Sequence, residues 1–120
     1  MNRPVVLIVE DERPIATLLT TLVEGCGATT AIARNGAEAL RWMMQQRPDL
    51  VLLDLIMPLM SGEEVLRDMR DDPRLADVPV IVITTREMLP DDLAPGTLVL
   101  QKPFAPAEVK QHVRAALGLQ

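Results

Sequence analysis

Two kinds of apolar pattern take turns along this chain, and their alternation limits the fold more than any other feature. Unbroken runs at Val5–Val9, Leu50–Leu53, Val78–Ile83 and Leu98–Leu100 suit strands buried on both faces. Thr29–Ala33 is a further candidate, β-branched but less bulky. Between the runs, apolar residues recur at the three-and-four spacing of a helix face: Ile15, Leu18, Leu19, Leu22 and Val23, then Ala37, Leu40, Met43 and Met44. Val65, Leu66 and Met69 form a third stripe, and Val109, Val113, Ala116 and Leu117 a fourth. Pro14 and Pro106 sit where a helix tolerates proline, Asn35 and Ser61 where it wants a cap, and Gly25, Gly27 and Gly118 where it stops. Strand and helix therefore alternate, which calls for an α/β fold with a parallel sheet covered on both faces.

The rest of the sequence narrows the setting. No repeat, linker or low-complexity tract divides the chain, so residues 1–120 read as one domain. With 48% apolar and 24% charged residues, the composition is that of a folded domain rather than a disordered one. A formal charge of −5 argues against direct nucleic-acid binding, which is mostly a Lys/Arg effect. One cysteine, Cys26, cannot form an internal disulfide and fits a reducing compartment; with His112 as the only histidine it cannot build a Cys/His zinc site. The longest apolar run is too short for a membrane span or a secretion signal, so a cytoplasmic location with no membrane contact is expected. The chain ends at Gln120 directly after the last helical stripe, which leads to the expectation that it carries no output module of its own.

In an open parallel sheet, ligands sit beyond the carboxyl ends of the strands. The first strand ends in Glu10-Asp11, the third in Asp54, the fourth in Thr84-Thr85 and the fifth in Lys102-Pro103. Clustered carboxylates repel, and one would keep its proton unless a cation neutralised the group. Mg²⁺ is the natural occupant, a hard ion that takes oxygen ligands. Each acid alone would be an ordinary helix-terminus residue. Lys102 is one of only two lysines among 12 basic residues and directly follows an apolar strand, where a charge needs a partner. Lys110, the other, is expected on the solvent side of the final helix.

Over essentially its full length the chain resembles the receiver domain of two-component response regulators. The resemblance is carried by Glu10-Asp11, Asp54 followed by Met57-Pro58 and Gly62, Thr84, and Lys102-Pro103-Phe104, in that order and spacing. It implies a doubly wound five-stranded sheet of order 2-1-3-4-5, flavodoxin-like. It also implies that Asp54 accepts a phosphoryl group from a sensor histidine kinase or a histidine phosphotransfer protein. Glu10, Asp11, Asp54 and the main-chain carbonyl of Ile56 would then bind Mg²⁺, while Thr84 and Lys102 meet phosphoryl oxygens. Lys102–Pro103 would be cis. Such a domain is a switch rather than an enzyme, phosphorylating itself with Mg²⁺ and losing the aspartyl phosphate slowly. Its output partner is a protein the sequence does not identify, and a homodimer is among the assemblies the family uses.

Three departures from the family pattern stand out. Val99 occupies the position, three before the lysine, where the family commonly has an aromatic switch residue, and the chain contains no Tyr. The stretch from Thr84 to Lys102 is short by about four residues, one helical turn, and contains Pro90, Pro95 and Gly96. A shortened or missing fourth helix is expected there, with output displaced to another face. Thr85 is bulkier than the family's usual residue and Ile56 could shield the site. Two other readings compete: a pseudo-receiver that binds partners without being phosphorylated, and an aspartate-nucleophile phosphatase of the haloacid-dehalogenase type. The latter wants an acid two residues after the nucleophile, where this chain has Ile56.

Overall fold

The strands form where the apolar runs lie: β1 (Val5–Val9), β2 (Thr29–Ala33), β3 (Leu50–Asp54), β4 (Val80–Thr84) and β5 (Leu98–Gln101). They pair in parallel in the order β2-β1-β3-β4-β5, as expected. Among the described residues four helices accompany them: α1 (Arg13–Glu24), α2 (Gly36–Gln45), α3 (Gly62–Asp71) and α4 (Pro106–Leu117). The computed structural model describes residues 3–57, 59–85 and 97–119. The expected short or missing fourth helix falls on residues 86–96 and lies outside the described residues.

Strand alternation builds a core on each side of the sheet. Leu7, Val9, Val51, Leu53 and Val82 pack with Ala39, Met43, Val65 and Met69 of α2 and α3. Val6, Ile8, Leu50, Leu52, Ile81, Ile83 and Leu100 pack on the opposite face with Leu19, Val23, Val109 and Val113 of α1 and α4. This double cover explains why the central runs carry no polar residue until their last position.

The helix ends follow the sequence signals. Asn35 Oδ1 accepts from Glu38 N at 2.8 Å and Ser61 Oγ from Glu64 N at 3.3 Å, each satisfying a donor the helix cannot pair itself. Gly118, at φ 71°, closes α4 by sending its own N–H and that of Leu119 back to the carbonyls of Ala115 and Arg114. α2 differs from expectation by about one residue of rotation. Gly36, Ala39 and Met43 face the core, whereas Ala37 is exposed and Met44 is 73% exposed. The cause is close approach at the start of the helix: a Cβ on Gly36 would lie 2.7 Å from Val65 Cγ2 and 2.8 Å from Met60 O, so its first turns put small residues inward. On α1, Ala16 likewise is buried while Leu18 is 41% exposed. Among the described residues no helix is long and apolar enough to cross a membrane.

Candidate functional site

Register and alternation together assemble the polar cluster. Val9 pairs with Leu53, so Glu10 comes level with Asp54 one step beyond. Glu10, Asp54 and Lys102 each lie two residues after an apolar residue of the α1/α4 face, Ile8, Leu52 and Leu100. They leave their strands on that same face. One ligand atom from each of Glu10, Asp11 and Asp54 falls within 4.8 Å of the others. Glu10 and Asp54 are buried and Asp11 is exposed. Asp11 has no part in starting α1, since the cap position is Glu12.

Lys102 ties the carboxylates together. Its Nζ donates to Asp54 Oδ2 at 3.2 Å and stands 3.1 Å from Glu10 Oε1, an ion-pair contact without a well-aligned hydrogen bond. Glu12 Oε1 is a third neighbour at 3.8 Å. The other oxygens are held by backbone: Ile56 N donates to Asp54 Oδ1 at 3.0 Å and Glu12 N to Glu10 Oε2 at 3.2 Å. The Ile56 side chain is 45% exposed at the rim. Thr84 ends β4 beside β5, where its carbonyl accepts from Lys102 N at 2.8 Å. Its hydroxyl is buried and has no hydrogen-bond partner among the described residues. The Lys102–Pro103 bond is cis.

Electrostatically the cluster holds more negative charge than one ammonium offsets. Burial first, and the neighbouring Asp54 charge second, push the Glu10 carboxyl from 4.5 up to about 7. Burial opposes the Lys102 ammonium, but the Glu10 contact and the charges of Asp54 and Glu10 outweigh it and hold its pKa above the usual lysine value. An acidic group that clings to a proton at neutral pH is short of a cation. The residues therefore fit Mg²⁺: hard oxygen donors, mostly buried and under-neutralised.

The raised Glu10 pKa has a measurable consequence for the metal-free protein. Between pH 4.5 and about 7 the folded chain keeps a proton that the unfolded chain releases. Stability from this group therefore falls as pH rises through that window and is lowest above it. Glu10→Gln has no such proton to lose. In chelator, the stability of the parent relative to Glu10→Gln should drop by ~3 kcal/mol from pH 5 to pH 8, read from urea midpoints. A difference that stays flat or rises over this range contradicts the raised pKa.

Other residues settle into structural places. Lys110 is half-buried rather than solvated, its Cε 3.8 Å from where a Cβ on Gly25 would stand. Trp42 and Phe104 are half-buried, each against one of the two cores. Cys26 is half-buried, with Sγ 3.4 Å from Leu22 O. Glu12, which reaches Lys102, carries no motif signal: in the sequence it merely ends an acidic triplet after an apolar run.

Residues 6–114 match the family model described as the response regulator receiver domain. The DNA-binding response regulator MtrA of Mycobacterium tuberculosis is 38% identical over 116 residues, covering 93% of this chain and 50% of that protein. The chain thus spans about half the length of the MtrA proteins it matches. The solved receiver domain of a signal transduction histidine kinase from Syntrophus aciditrophicus superposes with a TM-score of 0.85 at 34% identity, covering 96% of this chain and 90% of that one. The receiver domain of a sensor histidine kinase from Pseudomonas aeruginosa PAO1, with a magnesium ion coordinated in its active-site cleft, gives 0.86 at 27% identity, covering 97% and 98%.

Proposed function

The chain belongs to the response regulator receiver domains, signalling domains of two-component systems, and from that premise we propose that Asp54 is its phosphoacceptor. The donor is a phosphohistidine presented by a sensor kinase or a phosphotransfer protein in the cytoplasm, and the receiver unit extends over the whole chain. The observation that carries this reading is Asp54 itself. It is a nearly buried carboxylate at a strand end, 3.2 Å from the Lys102 ammonium and within ligand reach of Glu10 and Asp11.

In the transfer, a carboxylate oxygen of Asp54 attacks phosphorus, and the bond from phosphorus to the donor imidazole nitrogen breaks. The product is an aspartyl phosphate and a free imidazole. The transition state is loose, so positioning and positive charge matter more than covalent chemistry from the protein. Ile56 N, by holding Asp54 Oδ1, fixes the plane of the attacking carboxylate. Lys102 turns from Asp54 toward an oxygen of the incoming phosphoryl group, and the unpartnered Thr84 hydroxyl donates to another. Glu10, Asp11, Asp54 and the Ile56 carbonyl would hold Mg²⁺; the Pseudomonas receiver domain has a magnesium ion in its active-site cleft. When bound, Mg²⁺ supplies the charge that offsets the carboxylates and the phosphoryl oxygens. Hydrolysis of the acyl phosphate is slow, because the neighbouring carboxylates are committed to cations and do not serve as a general base.

The test is incubation with MgCl₂ and acetyl phosphate or phosphoramidate, followed by intact mass. One phosphoryl group per chain should appear, map to Asp54, and decay slowly once donor is removed. No gain with either donor would leave a pseudo-receiver. Continuous turnover of many phosphomonoesters would make the chain a phosphatase.

A further inference from the structure

Lys102 faces more carboxylates than the proposed reaction uses. Its ammonium stands 3.1 Å from Glu10, 3.2 Å from Asp54 and 3.8 Å from Glu12. The first two belong to the group that can hold a divalent cation; Glu12 does not. An ammonium and a divalent cation repel each other and seek the same oxygens, so both cannot keep Glu10 and Asp54 at these distances. Lys102 is then an internal competitor for the cation, and something must receive it when it yields.

We infer that Glu12 is a positioning residue for Lys102, taking over its ammonium when a divalent cation claims Glu10 and Asp54. This rests on the phosphoacceptor reading above. Glu12 occupies the cap position of α1, yet its side chain makes no capping hydrogen bond, so its carboxylate is not committed to the helix. Its backbone is tied to the site by the hydrogen bond to Glu10 Oε2. The side chain is 61% exposed, and a solvated pair at 3.8 Å contributes little while Lys102 has two nearer partners. Once those partners are claimed, Glu12 is the remaining carboxylate in contact with the ammonium among the described residues. It keeps Lys102 at the rim of the site, near Asp54, where a phosphoryl oxygen will need it.

A double-mutant cycle on cation affinity tests this without recourse to phosphorylation. MgCl₂ is titrated calorimetrically into the parent, Lys102→Met, Glu12→Gln and the double variant, with folding checked by circular dichroism. Lys102→Met removes the competitor and should tighten Mg²⁺ binding by about tenfold. Glu12→Gln removes the landing place and should weaken it by about threefold, a loss that vanishes when Lys102 is already Met. If the Glu12→Gln loss persists unchanged in the Lys102→Met background, Glu12 acts on the cation directly and the inference fails. It fails equally if Lys102→Met does not tighten binding. Lys102→Gln completes the cycle should the Met variant not fold. Absence of Mg²⁺ binding in the parent would instead bring down the phosphoacceptor reading itself.

Discussion

An Asp54→Asn chain should take up no phosphoryl group and yet be more stable than the parent in metal-free buffer at pH 8. The first half follows from chemistry: the amide oxygen of Asn is a poor nucleophile and forms no acyl phosphate. The second half follows from the charge count around Lys102. One ammonium faces Glu10, Asp54 and Glu12, and the Asp54 charge is among the causes that push the Glu10 carboxyl up to about 7. Asn removes that charge, keeps an oxygen for Ile56 N, and leaves Lys102 paired with Glu10. Relief of that repulsion lowers the Glu10 carboxyl back toward its ordinary range and should be visible as a higher urea midpoint in chelator. Added Mg²⁺ should reverse the order, since the parent gains stability by binding it and the variant has lost a ligand. A lower midpoint for Asp54→Asn in chelator would mean that the Asp54–Lys102 pair outweighs the repulsion.

Much of this molecule is legible in its sequence, for identifiable reasons. The parallel sheet and both helix layers follow from apolar runs separated by helical stripes, because a strand buried on two faces cannot carry polar residues; the strand order follows from the resemblance to receiver domains. The acids and the lysine are legible because Glu10 and Asp54 directly end such runs, and Asp11 and Lys102 follow one residue later. Helix orientation is less so. Hydrophobicity points α2 inward through Ala37 and Met44, whereas the structure turns Gly36 and Ala39 to the core, since distance between elements is set by size. Glu12 is invisible in sequence for a different reason. Its contact with Lys102 depends on how α1 begins beside the end of β5, and no spacing rule encodes that approach.

Gly62 shows how a residue conspicuous in the sequence acquires a physical cost only in three dimensions, and Gly62→Ala should be the most damaging single methyl added to this chain's described glycines. A Cβ there would stand 2.6 Å from Leu55 Cα and closer still to Asp54 O. These are backbone atoms of the segment that carries the phosphoacceptor, so no side chain can rotate aside. Gly62 N also donates to Leu55 O at 3.1 Å, which holds the start of α3 against the end of β3. Either α3 backs away and loses this bond and the packing of Val65 and Met69, or the Asp54–Leu55 backbone shifts. Overpacking of this kind costs about 3 kcal/mol, well above the gain of up to ~1 kcal/mol that Ala offers a helix. The expected result is a large drop in urea midpoint together with slowed uptake from acetyl phosphate, because Asp54 and Ile56 N move together. Gly25→Ala is the matched control. There the new Cβ meets Leu22 O and Thr21 O at 3.4 Å in a right-handed backbone, so the change should be neutral or slightly stabilising. If Gly62→Ala proved as mild as Gly25→Ala, the close seating of α3 on the Asp54 strand would be wrong, and with it the rigidity assumed for the attacking carboxylate.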